Sequence, residues 1–121
     1  MATVKESLDK IMATDGAVGA CVVDSSSGMM LGAVGGGSIN IEVAAAGNTE
    51  VVRAKRKTMK SLGLNDTIED ILITLQKQYH IIRLCGNNDA LFIYVVLDKS
   101  KSNLAMARHQ IAAAEKEMQI A

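Results

Sequence analysis

Residues 38–62 read SINIEVAAAGNTEVVRAKRKTMKSL, and the rest of the chain is organised around them. The stretch has no proline, is rich in alanine, offers Ser38 or Asn40 as an N-cap and meets Gly63 just past its end. Those features predict one long helix. At about 100° per residue its side chains sort into three sectors. Ile41, Ala44, Ala45, Val52, Met59 and Leu62 make one apolar stripe. Val43, Gly47, Val51, Ala54 and Thr58 make a second, of smaller residues, about 120° round from the first. Glu42, Glu50, Arg53, Arg56, Lys57 and Lys60 fill the remaining polar sector. A helix in a small domain needs one apolar stripe to bind its own sheet. The second is expected to pack on another copy of the chain.

The chain of 121 residues is expected to form a single domain over 1–121. Apolar residues make up 49% and aromatics only 2%, so the core must be aliphatic. The formal net charge of zero argues against a general nucleic-acid or anionic-membrane binder. Tyr79, Phe92 and Tyr94 are the whole aromatic inventory, too few for stacking on single strands. No apolar run approaches a membrane span of about 20 residues, and MATVKESLDK at the start lacks a secretory apolar core. Cys21 and Cys85 each sit in an apolar run without a paired spacing, so buried reduced thiols in a cytoplasmic protein are expected.

Working outward, Thr3 and Glu6 form a capping box ahead of Val4, Leu8, Ile11 and Met12, a short amphipathic helix over 4–13. Ala17–Asp24 is a nearly continuous apolar run, expected as a strand covered on both faces. Ser25-Ser26-Ser27-Gly28 is a turn into a second strand, Met29–Val34, and Gly35-Gly36-Gly37 releases the chain into the long helix. Beyond Gly63, strands are expected at Ile68–Leu75, Gln78–Leu84 and Ala90–Leu97, the last being the most apolar and so the central one. A final helix over roughly 102–119 turns Leu104, Ala107, Ile111, Ala114 and Met118 inward. Short loops make both strand groups antiparallel meanders, and strands apolar on both faces require helices on both sides. The fold class is α/β of the α+β kind, a three-layer sandwich.

This order resembles the Roadblock/dynein light chain family, including its bacterial members. The likeness is carried by GAVGACVVDSSSGMML after a short helix, by EDILITLQKQYHIIRL, and by LDKSKSNLAMARHQI at the start of the last helix. The triple glycine and the strongly basic end of the long helix depart from it. The resemblance implies a five-stranded antiparallel sheet in the order 2-1-5-4-3. The long helix would lie on one face and the two terminal helices on the other. It also implies a homodimer, or a heterodimer with a paralogue, built through the long helix and the third strand. Members act on or beside small Ras-like GTPases, or as subunits of larger complexes, and are not enzymes themselves.

The expected dimer interface is therefore Val43, Gly47, Val51, Ala54 and Thr58, with Ile71, Leu72 and Ile73 of an edge strand that is an aggregation liability if unpaired. Arg53, Arg56, Lys57 and Lys60 are expected to dock an acidic partner surface, because stability at a helix C-terminus does not call for so dense a run. No catalytic, cofactor or metal site is expected. Gly35–Ser38 lacks the Gly-Lys-Ser/Thr step of a phosphate loop, since Ile39 follows Ser38. His80 and His109 have no carboxylate or cysteine at ligand spacing. Ser25–Ser27 has no base, and Glu69 and Asp70, adjacent in a strand, would point to opposite faces. These readings converge on a non-catalytic, dimeric regulator of a small Ras-like GTPase. A scaffold subunit indifferent to nucleotide state is the alternative.

Overall fold

Sheet and helices follow one another in a computed structural model that describes residues 2–119. Helix α1 spans Val4–Met12, strands β1 and β2 span Ala17–Asp24 and Met29–Gly35, and helix α2 spans Ile41–Ser61. Strands β3 (Asp70–Thr74), β4 (Gln78–Leu84) and β5 (Leu91–Asp98) follow, and helix α3 (Leu104–Glu117) comes last. The strands form one antiparallel sheet in the order β2-β1-β5-β4-β3. The fold is thus the expected α+β sandwich, with β5 at the centre.

The strand β5 sits there because every residue from Leu91 to Leu97 is apolar and buried, so alternate side chains feed two cores. Ile93 and Val95 join Val22, Ile81, Leu8, Ile11 and Ile111 beneath α1 and α3. Phe92, Tyr94 and Val96 join Val23, Ile82, Ala45 and Val52 beneath α2. Each buried Leu, Ile or Phe contributes about 1.5–3 kcal/mol, so the two layers hold the sheet from both sides without aromatic bulk.

Local grammar explains the ends. The Thr3 hydroxyl accepts from Glu6 N at 3.1 Å and the Glu6 carboxylate accepts from Thr3 N at 2.9 Å, closing the capping box. Of the two N-cap candidates for α2, Asn40 is the cap, accepting from Val43 N at 3.2 Å. Gly35, Gly36 and Gly37 have φ of +65°, +120° and +56° in succession, a path that side chains resist. That is why the turn from the edge strand into α2 is a glycine run. The Gly36 amide is also spent within the fold, donating to Val18 O at 2.9 Å, which weakens it as a phosphate cradle.

Several boundaries differ from expectation. Strand β3 is shorter at both ends, because Thr74 pairs with Tyr79 and Leu75 N then closes the turn on Gln78 O at 2.9 Å. Glu69 lies before the strand, so it and Asp70 are not an opposed strand pair. Leu62 is 66% exposed rather than part of the sheet-facing stripe, since the helix ends at Ser61. Helix α3 starts at Leu104 behind its Asn103 cap and ends at Glu117; of its expected inward residues, Leu104 is only half-buried.

Candidate interaction surfaces

Helix α2 turns Ala45 and Val52 onto the sheet and leaves the small-residue stripe in solvent. Val43 is 66% exposed and Val51 36%, and Gly47, Ala54 and Thr58 are exposed with them. Gly47 has no internal steric reason to be glycine, since a Cβ there would meet no atom within 4 Å. The Thr58 hydroxyl donates to Ala54 O at 3.0 Å and so offers the surface only its methyl face.

The helix packs over β1 and β2, and its Ala45 and Val52 also close the core over Ile82 of β4. Register puts Ile71 opposite Ile82 and Ile73 opposite His80 on that side of the sheet; Ile82 is buried, and the other three are half-buried. Ile71 and Ile73 are half-buried at the sheet edge, while Leu72 points through to the core beneath α3. The α2 stripe is thus open to solvent, and Ile71 and Ile73 of β3 stand half-buried on the α2 side of the sheet. Leu72 lies on its far side.

Polar groups that sequence reasoning passed over lie on the same side of β4 and β5. The Tyr94 hydroxyl lies 3.0 Å from His80 Nδ1, and His80 Nε2 lies 2.9 Å from Gln78 Oε1. The two rings meet edge to face at 5.5 Å. Asn48, on the flank of α2, donates its amide to Ala44 O at 2.7 Å. Burial pushes the Tyr94 phenol up and the His80 imidazole down from their ordinary values. The sequence marks His80 only as one residue of an alternating strand; its diagonal partner on β5 emerges with the register.

The basic run divides into two pairs. Arg53 donates to Ser25 O at 2.7 Å and Ser26 O at 3.0 Å, with Glu50 at 3.0 Å alongside. Arg56 donates to Asp89 O at 2.5 Å. These arginines tie α2 to the β1–β2 and β4–β5 turns, a task that sequence reading assigned to no residue. Lys57 and Lys60 are exposed and make no ion pair among the described residues. Beside Arg56 and Lys60 a cleft of about 480 Å³ opens between Met59, Leu64, Ile68 and Leu84. Arg83 and Glu115 line it too, paired at 3.0 Å with only 14% and 4% of their side chains exposed.

The other candidates have local roles. His109 is exposed on α3, the Ser26 hydroxyl donates to Asp24 and Ser25 Oγ to Ala90 O. Burial pushes both Cys21 and Cys85 thiols up to about 12, far from a reactive thiolate. Among the described residues no helix is long and apolar enough to cross a membrane.

No family model matches the chain, and no curated protein does. Solved structures do match. MglB of Myxococcus xanthus is similar with a TM-score of 0.82 at 19% identity, over 94% of this chain and 89% of that one. A Roadblock/LC7 domain from Streptomyces avermitilis gives 0.81 at 11% identity, over 95% and 93%. An MglB in a tetrameric arrangement gives 0.81 at 15% identity, over 93% and 82%. Strand order, the placement of three helices and these likenesses agree: the chain has the Roadblock/LC7 fold.

Proposed function

We propose that the chain is a non-catalytic, dimeric regulator of a small Ras-like GTPase, acting in the cytoplasm. The observations that carry the reading are the exposed small-residue stripe of α2 and the unpaired β3 edge of the sheet. Val43, Gly47, Val51, Ala54, Thr58, Ile71 and Ile73 suit a second copy, whose own β3 would extend the sheet and remove the open edge. Leu72 supports that edge from the core side. The likeness to an MglB found as a tetramer favours self-association. The Roadblock resemblance supplies the GTPase as partner.

The arginines bear on mechanism. Arg53, Arg56, Arg83 and Arg108 all donate to acceptors of their own chain. An arginine finger would first have to leave those acceptors. Any stimulation of hydrolysis is therefore indirect, with the dimer binding the GTPase and biasing its switch loops. Lys57 and Lys60, free of such duties, supply the attraction for an acidic partner surface, with Arg53 and Arg56 adding charge while holding the turns.

Binding to a Ras-like GTPase loaded with GTP or GDP tests the reading. A preference for one nucleotide state is expected. Equal binding to both, or none, supports the scaffold reading instead. In the same assay Lys57→Glu with Lys60→Glu should weaken binding about tenfold at low salt and flatten its salt dependence, leaving the fold intact. Unchanged affinity would remove the lysines from the docking surface.

A further inference from the structure

With the Gln78 amide oriented as it is, neutral His80 satisfies a neighbour at each ring nitrogen. Gln78 Oε1 is an acceptor 2.9 Å from Nε2, so Nε2 carries the proton. Nδ1 is then the acceptor of the Tyr94 hydroxyl at 3.0 Å. A second proton on Nδ1 would face the Tyr94 oxygen, and the phenol, 1% exposed, would have to redirect its own hydrogen. Along β4 and across to its neighbours, the groups facing His80 are Gln78 and Ile82, Ile73 on β3, and Tyr94, Val96 and Asp98 on β5. Of these only Asp98 carries a charge near neutral pH, and its Oδ1 is taken up by Ser100 N at 3.0 Å and Ser100 Oγ at 2.7 Å.

In the isolated chain His80 is only half-buried, and a charged ring keeps access to water. A copy seated on Ile71, Ile73 and the α2 stripe would cover it. Each dimer would then bury two such rings, one from each chain. We propose that His80 makes self-association pH-dependent: the neutral ring permits a second copy to close over the β3 edge and His80, and the imidazolium opposes it. This rests on the dimer reading above. The device needs no change of fold, because the ring that senses the proton stands beside the surface to be covered.

The linkage has a definite sign. Where dimers exclude protons that free chains bind, the dissociation constant rises as pH falls through the imidazole range. Two protons per dimer set a ceiling of about 100-fold per pH unit. Sedimentation equilibrium of the full chain from pH 8 to pH 5, with circular dichroism at each pH, reads this directly. The expected result is a dimer at pH 8 whose dissociation constant rises at least about tenfold by pH 5 while the helical signal is retained. His80→Gln, which keeps a polar side chain without a titrating proton, should dimerise with a pH-independent constant. A wild-type dimer of constant affinity would overturn the inference and leave the dimer standing. So would an undiminished pH slope in His80→Gln, or a loss of dimer that only tracks unfolding. A chain monomeric at every pH would overturn both.

Discussion

Val51→Glu is expected to turn the dimer into a monomer, raising its dissociation constant at least about 100-fold, with no loss of fold. The residue stands midway along the small-residue stripe and shares no part in the internal core. Across a two-fold axis the same substitution enters twice, so two carboxylates lose water where closely packed small side chains were to meet. In the single chain the new side chain projects into solvent and meets a helix position that glutamate favours. Thermal unfolding of the separated monomer should fall in line with the loss of dimer alone. Gel filtration with light scattering reads the mass. A Val51→Glu chain that still dimerises at low micromolar concentration would move the interface off α2.

Glu115→Ala should destabilise the chain by about 3 kcal/mol, the cost of leaving a largely buried guanidinium without its counter-charge. Glu115 holds Arg83 Nε through Oε1 at 3.0 Å and accepts Gly86 N through Oε2 at 3.2 Å, so one carboxylate fixes both the end of β4 and the following turn to α3. Removing it strands a charge and a backbone donor together. The paired change, Arg83→Met with Glu115→Leu, should recover most of the loss, because apolar replacements of similar volume dispense with desolvating two ions. Urea unfolding of the single and double variants decides the matter. Equal destabilisation by both would mean that packing, rather than the stranded charge, sets the cost.

What could be read in advance, and what could not, follows from the range of the interactions. The central strand announces itself as a run with no polar residue from Leu91 to Leu97, and the capping box of α1 lies within four residues of sequence. Two stripes on α2 are a matter of angle alone, and the structure puts one on the sheet and leaves the other in water. The Arg83–Glu115 pair joins residues 32 apart, and only register and layer order bring them together. A signal for it existed: Glu115 lies four residues beyond Ile111 on the inward face of α3, where an unpaired carboxylate would be prohibitive. Arg53 and Arg56 read as part of a solvated cationic face because backbone carbonyls of distant turns leave no trace in side-chain patterning. The His80–Tyr94 contact is likewise diagonal across two strands, invisible until their stagger is known.

A second copy must cover the exposed α2 stripe and the β3 edge, and the mass in solution tests that most directly. Sedimentation equilibrium of the unmodified chain at micromolar concentration and pH 8 should return twice the chain mass of 12.8 kDa. Amide exchange in β3 should slow as concentration carries the chain into the dimer. A single species at 12.8 kDa across that range, with β3 amides exchanging freely, would contradict it.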